Sequence, residues 1–209
     1  PAEGHATLLG VDLADADEPE RNAVLGRVGM LFQGGALLNS LTVAANVALP
    51  IVERAKLPQV VIDEIVAMKL ALVDLADKAA LMPPELSGGM KKRAALARAM
   101  ATDPLVLFCD EPGAGLDPIS MATIDALLLN LRDRFGMSMV VVTHELPSIA
   151  RIADRVTMLD KGLVVAQGTL DQVKNTDHPL VEAFFNRQES EEEGHPSVWQ
   201  ALQGAGGSE

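Results

Sequence analysis

The 209-residue chain contains a single cysteine, Cys109, which excludes an internal disulfide framework and suits a reducing compartment. No apolar run reaches the roughly 18 residues that a membrane helix needs. The nearest stretch, residues 41–52, carries Asn46 and Pro50. The order of a signal peptide, basic then hydrophobic then small, is absent at the start, and the chain begins at Pro1 rather than Met. Basic residues are few: 17 Lys and Arg stand against 29 Asp and Glu, a net charge of −12. That balance argues against binding nucleic acid through bulk charge and against holding an anionic bilayer by charge alone. There is no internal repeat. The phosphate-binding pattern G-x-x-x-x-G-K-[S/T] appears nowhere in the chain.

Apolar residues, by contrast, make up 48% of the chain, enough for a sizeable core, which rules out wholesale disorder. The length suits one domain, with room for two lobes. Residues 6–11 read as a short strand ending in a turn, and 27–32 as a second, closed by Gln33-Gly34-Gly35. From Leu41 to about Leu81 the spacing is helical, with Ile62, Ile65, Val66, Leu70 and Val73 on one face. Pro50, Pro58, Pro83 and Pro84 punctuate it, which predicts a lobe of several short helices. Further helices are expected over 87–101, 118–134 and 146–153. Strands are expected at 105–109, 137–142, 155–159 and 163–166, with small helices to about 187. Helices alternating with short buried strands predict an α/β fold with a mostly parallel sheet.

Four segments carry chemistry. Leu86-Ser87-Gly88-Gly89-Met90 opens a helix with a serine and two glycines, leaving uncrowded N–H groups that suit an anion; taken alone, an ordinary cap with glycines in the turn is the better reading. The apolar run 105–109 ends in Asp110 and Glu111, where a parallel sheet opens its ligand crevice. One carboxylate there suits a hydrated Mg²⁺, and its neighbour suits a general base. Twenty-three residues separate Ser87 from Asp110, room for one helix and a connection. Gly113-Ala114-Gly115-Leu116-Asp117-Pro118 is a turn whose Asp117 also fits a plain N-cap. Val140-Val141-Val142-Thr143-His144 is a strand ending in a histidine, which near a phosphate site orients water.

In this order the motifs resemble the signature, Walker B, D-loop and H-loop of ABC-type ATPases. Gln33 resembles the Q-loop glutamine, and the match runs from Pro1 to about Arg187. The resemblance implies a RecA-like P-loop NTPase core with an inserted helical lobe at about 34–101. An acidic, Gly-rich tail follows at 188–209. It implies ATP and Mg²⁺ as ligands: Glu111 activating water, His144 positioning it, and Asp110 with Gln33 organising the metal. Ser87, Gly88 and Gly89 would reach ATP held by the partner of a head-to-tail homodimer, and Asp117 would link the two sites. Integral-membrane permease subunits, and an accessory regulatory subunit, are the implied partners, at the cytoplasmic face of the inner membrane. The missing phosphate loop lies upstream of Pro1 in that family, so the expectation is an N-terminally truncated chain.

Residues 28–40 and 43–50, Met90 in the signature and residues 178–185 resemble the ATPases of Mla and Mce lipid-transport systems. The expected function is therefore to power phospholipid traffic from or across the inner membrane. Two alternatives share the core: an amino-acid or osmolyte importer, and a nonhydrolytic regulatory subunit. Chromosome-maintenance ATPases share the signature but insert a long coiled coil where only 54 residues separate Gln33 from Ser87. Lys91, Lys92, Arg93 and Arg98 read as the solvated face of the signature helix. Cys109 reads as a small buried apolar residue rather than a nucleophile. Residues 189–193 read as a solvated charge run, and Trp199 as either unstructured or a docking anchor.

Overall fold

The computed structural model describes residues 4–185, which divide after Thr143 into two compact units. The first unit opens with β1 (Thr7–Leu8) and β2 (Val11–Asp12), an antiparallel hairpin rather than the single strand expected over 6–11. Leu9 and Gly10 have φ of 51° and 84°, and two left-handed residues in succession turn the chain back on itself. His5 Nδ1 lies 2.6 Å from Asp12 Oδ2 and closes the open end. Helix α1 (Glu18–Leu25) was not anticipated. Its signals are those of a helix start: Asp17 accepts from the Glu20 N–H, and Pro19 sits in the first turn. Only Val24 is buried along it, so no apolar stripe announces it.

The core sheet comprises β3 (Val28–Leu31), β4 (Val106–Asp110) and β5 (Ser138–Val142), parallel and in that order. Leu31 pairs with Cys109, and Asp110 with Val142, so the three strands end at one level. Leu31, Leu107 and Cys109 are buried on one face, whereas Met30, Phe32, Val140 and Val142 on the other are exposed. Gly29 is dictated by packing: a Cβ there would lie 2.4 Å from the Ala99 carbonyl oxygen.

Between β3 and β4 lies the helical lobe. It comprises α2 (Val43–Arg54), α3 (Gln59–Leu72) and α4 (Gly88–Ala99). Its core joins Val43, Val47 and Ile51 to Ile62, Val66, Leu70, Ala94 and Ala97. Pro50 does not end a helix as expected; it lies inside α2, and Ile51 beyond it is buried on the same face as Val43 and Val47. Packing of that face outweighs the hydrogen bond that a proline removes. Asn46 is fully buried in α2, and its amide binds the 38–42 loop through Leu38 N, Leu38 O, Leu41 O and Thr42 O. Lys69, 1% exposed on α3, pairs with Asp103, and its Nζ lies 5.7 Å from the centre of the Phe135 ring. Helix α5 (Pro118–Phe135) leads into β5 through Gly136, at φ 62°.

The second unit contains α6 (Leu146–Ile152), β6 (Val156–Asp160), β7 (Leu163–Gly168) and α7 (Leu170–Lys174). Its two strands are antiparallel, so the parallel expectation holds for the core sheet and fails here. Two residues, Lys161 and Gly162, join them, and both have positive φ. A parallel pair needs a far longer crossover. Ala166, Val173, Val181 and Phe185 form this unit's core. Among the described residues no helix is long and apolar enough to cross a membrane. The acidic run and Trp199 lie outside the described residues.

Candidate functional site

Helix α4 starts as its sequence dictates. Ser87 has extended φ/ψ, and its Oγ accepts from the Met90 N–H at 3.3 Å. Ser87 and Gly88 are exposed. A Cβ on Gly88 would sit 3.4 Å from Leu116 Cδ2, so the turn after β4 stands beside the start of α4. A Cβ on Gly89 would meet nothing within 4 Å. Packing within the chain therefore gives no reason for glycine at 89, and the space above the helix start is open.

Strand β4 delivers Asp110 and Glu111 at its carboxyl end. Glu111 has φ 46°, a left-handed conformation that costs a non-glycine residue about 1–2 kcal/mol. Its N–H donates to Val142 O at 2.9 Å, and Thr143 Oγ1 donates to its Oε2 at 3.3 Å. The end of β5 thus grips both its backbone and its carboxylate.

The basic residues of α4 contradict the expectation of a solvated face. Lys92 is only 7% exposed; its ammonium donates to Gln33 O and, at 2.9 Å, to Glu111 O. Arg98 donates to Ala36 O at 2.6 Å and to Gly35 O at 2.9 Å, and Arg93 to Val73 O at 3.1 Å. None of the four, Lys91 included, is exposed. Lys92, Arg93 and Arg98 lay their stems against the helix and end on backbone carbonyls. Burial lowers the pKa of Lys92, with the Glu111 and Asp110 carboxylates opposing it, and burial lowers that of Arg98. Gln33 and Glu111 are therefore brought together by one ammonium.

Asp117 caps α5, accepting from the N–H groups of Ile119 at 3.1 Å and Ser120 at 3.0 Å. Its hydrogen bonds with Ser120, the side-chain one foremost, hold its carboxyl below the usual carboxylate range. Gly113 before it is fixed by Met121, whose Cγ would be 2.8 Å from a Cβ. His144 opens the second unit; it is exposed, with Nε2 3.6 Å from Glu145 Oε1. Cys109 is buried, and burial pushes its thiol up to about 12, as suits an inert core residue.

Three residues that the sequence reading passed over belong to this site: Lys92, Arg98 and Thr143. A signal for Lys92 existed. It shares a helix face with Gly88, Ala95 and Ala99, and a lysine amid small residues points inward. Asp110 and Gln33 offer only oxygen donors, a set that suits Mg²⁺.

A model of the ABC transporter family matches residues 1–114. The chain is 43% identical over 185 residues to the intermembrane phospholipid transport system ATP-binding protein MlaF of Haemophilus influenzae. That alignment takes in 88% of this chain and 70% of that protein. It is 38% identical to the methionine import ATP-binding protein MetN 2 of Pseudomonas entomophila, but spans only 58% of that relative's length. Its fold is similar to a dimeric ATP-binding cassette solved in a post-hydrolysis state with ADP and Pi. The TM-score is 0.73 at 30% identity, over 81% of this chain and 75% of that one. The motif order, the parallel sheet with its helical lobe and these likenesses agree: the chain belongs to the ABC transporter family, as an ATPase subunit.

Proposed function

We propose that this ATPase powers phospholipid movement between or across membranes. The observation that carries this reading is the share of the relative covered: 70% of MlaF, at 43% identity, against 53–58% of methionine importers' subunits, at 37–42% identity. The site residues have the following roles. Glu111 accepts the proton of the water that attacks the γ-phosphorus, while the bond from that phosphorus to the β-γ bridging oxygen breaks and ADP leaves. Thr143, donating to Oε2, orients that carboxylate. His144 hydrogen-bonds the γ-phosphate. Asp110 and Gln33 would hold Mg²⁺, which would supply neutralisation of the phosphate charge.

Ser87, Gly88 and Gly89 act in trans on ATP held by a second copy. The open space above Gly89 supports that approach. Asp117 connects the two sites across the dimer. The ATPase domain spans 1–187, with its helical lobe at about 34–101 and a separate tail at 188–209. Permease subunits dock on the surface from Gln33 to Ala55, where Leu38 and Val52 are 46% and 57% exposed. That docking places the subunit on the cytoplasmic face of the inner membrane, and an accessory regulatory subunit binds alongside.

The test is reconstitution of the full-length protein with its membrane partners in vesicles. ATP-dependent transfer of labelled phospholipid, with no ATP-dependent methionine uptake, is the expected result. Methionine uptake without lipid transfer would reverse the cargo assignment.

A further inference from the structure

Lys92 is a buried cation whose ammonium donates to two neutral carbonyls, Gln33 O and Glu111 O. Burying an ammonium costs far more than burying a neutral donor, so the position asks for a reason. Glu111 supplies one. Its left-handed backbone needs holding, and its main chain is held on both sides, at N–H by Val142 O and at C=O by Lys92. The carboxylates of Glu111 and Asp110 offset part of its loss of hydration. Six residues along the same helix, Arg98 donates to Gly35 O and Ala36 O, so α4 holds the Gln33–Ala36 turn at both ends.

We infer that Lys92 is a positioning residue for ATP hydrolysis: it holds the Glu111 backbone in its left-handed conformation and ties it to Gln33, fixing the spacing of the base and the glutamine turn. This inference rests on Glu111 being the base. A misplacement of about 1 Å in a reacting group lowers rates about a hundredfold, so loss of the tether acts on kcat rather than on ATP binding.

The experiment measures ATP turnover, nucleotide affinity and thermal unfolding of Lys92→Met and Lys92→Arg in the full-length protein. Lys92→Met is expected to lose about tenfold to a hundredfold in kcat, with KM for ATP within about twofold. Lys92→Arg, which keeps a donor in the same place, is expected to restore most of that loss. In a Glu111→Gln background, Lys92→Met is expected to cost a clearly smaller fraction of the residual rate, because of the two groups it positions only the Gln33 turn remains. Wild-type kcat in Lys92→Met overturns the inference. So does an equal fractional loss in both backgrounds, or a loss that Lys92→Arg leaves uncorrected. If Lys92→Met does not fold, Lys92→Gln, with one shorter donor, decides by the same readouts. Normal turnover in Glu111→Gln alone refutes the base assignment instead, whatever Lys92 does.

Discussion

Asn46 anchors the loop between the core sheet and the helical lobe, and its removal has a calculable cost. The side chain is fully buried; its Oδ1 accepts from Leu38 N, and the two protons of Nδ2 are shared among three carbonyls of the 38–42 loop, at distances between 2.8 and 3.1 Å. At about 1 kcal/mol net for each of these three protons, their sum is about 3 kcal/mol. Two of the acceptors keep another donor: Leu38 O accepts from Leu41 N at 3.1 Å, and Thr42 O from Asn46 N at 2.9 Å. Asn46→Ala therefore orphans fewer groups than it touches, and the expected loss is about 3 kcal/mol. In a protein of this size that lowers the apparent Tm by about 6–12 °C. Calorimetry or urea unfolding of the full-length protein measures it. Asn46→Asp sharpens the test, since it puts a carboxylate against three carbonyl oxygens. Its pKa would be raised, so the folded state holds the proton more tightly. Stability should then fall as pH rises above the unfolded value of about 4, and recover below it. An alanine variant within about 0.5 kcal/mol of wild type would refute the reasoning.

Two glycines make a contrasting pair. Gly29→Ala drives a Cβ to 2.4 Å from the Ala99 carbonyl and 3.0 Å from Pro104 Cγ, so a loss of about 3 kcal/mol or more, or failure to fold, is expected in thermal unfolding. Gly89→Ala, with nothing within 4 Å, should leave Tm unchanged yet lower ATP turnover in the dimer; a loss of stability matching that at 29 would contradict the open site. Cys109 should resist thiol reagents at pH 8 in the folded protein and react on unfolding, because burial holds it protonated up to about 12. Labelling of the native protein at the rate of a free thiol would show that the β4 interior is open.

Much of the site was legible because its residues punctuate elements. Asp110 and Glu111 end an apolar strand, Ser87 starts a helix, and Asp117 precedes a proline in a first turn; each motif sits where the chain changes direction. Where periodicity carries the signal, sparse burial hides an element: α1 buries only Val24 and was missed. Where one residue type has two meanings, the commoner misleads. Pro50 reads as a break but is carried inside α2 by the packing of its face, and Lys92 and Arg98 read as solvent-facing yet end on carbonyls of the Gln33–Ala36 turn. Those carbonyls come from residues some sixty positions away, a pairing that only the fold creates. The β1–β2 turn was partly visible in Gly10, but the left-handed Leu9 beside it was not.

Glu111, at the end of β4, is the group proposed to activate water. The direct measurement is ATP hydrolysis and ATP binding by Glu111→Gln in the full-length protein. The account predicts that turnover falls at least about a hundredfold while ATP affinity stays within about threefold. Turnover near the wild-type rate would contradict it.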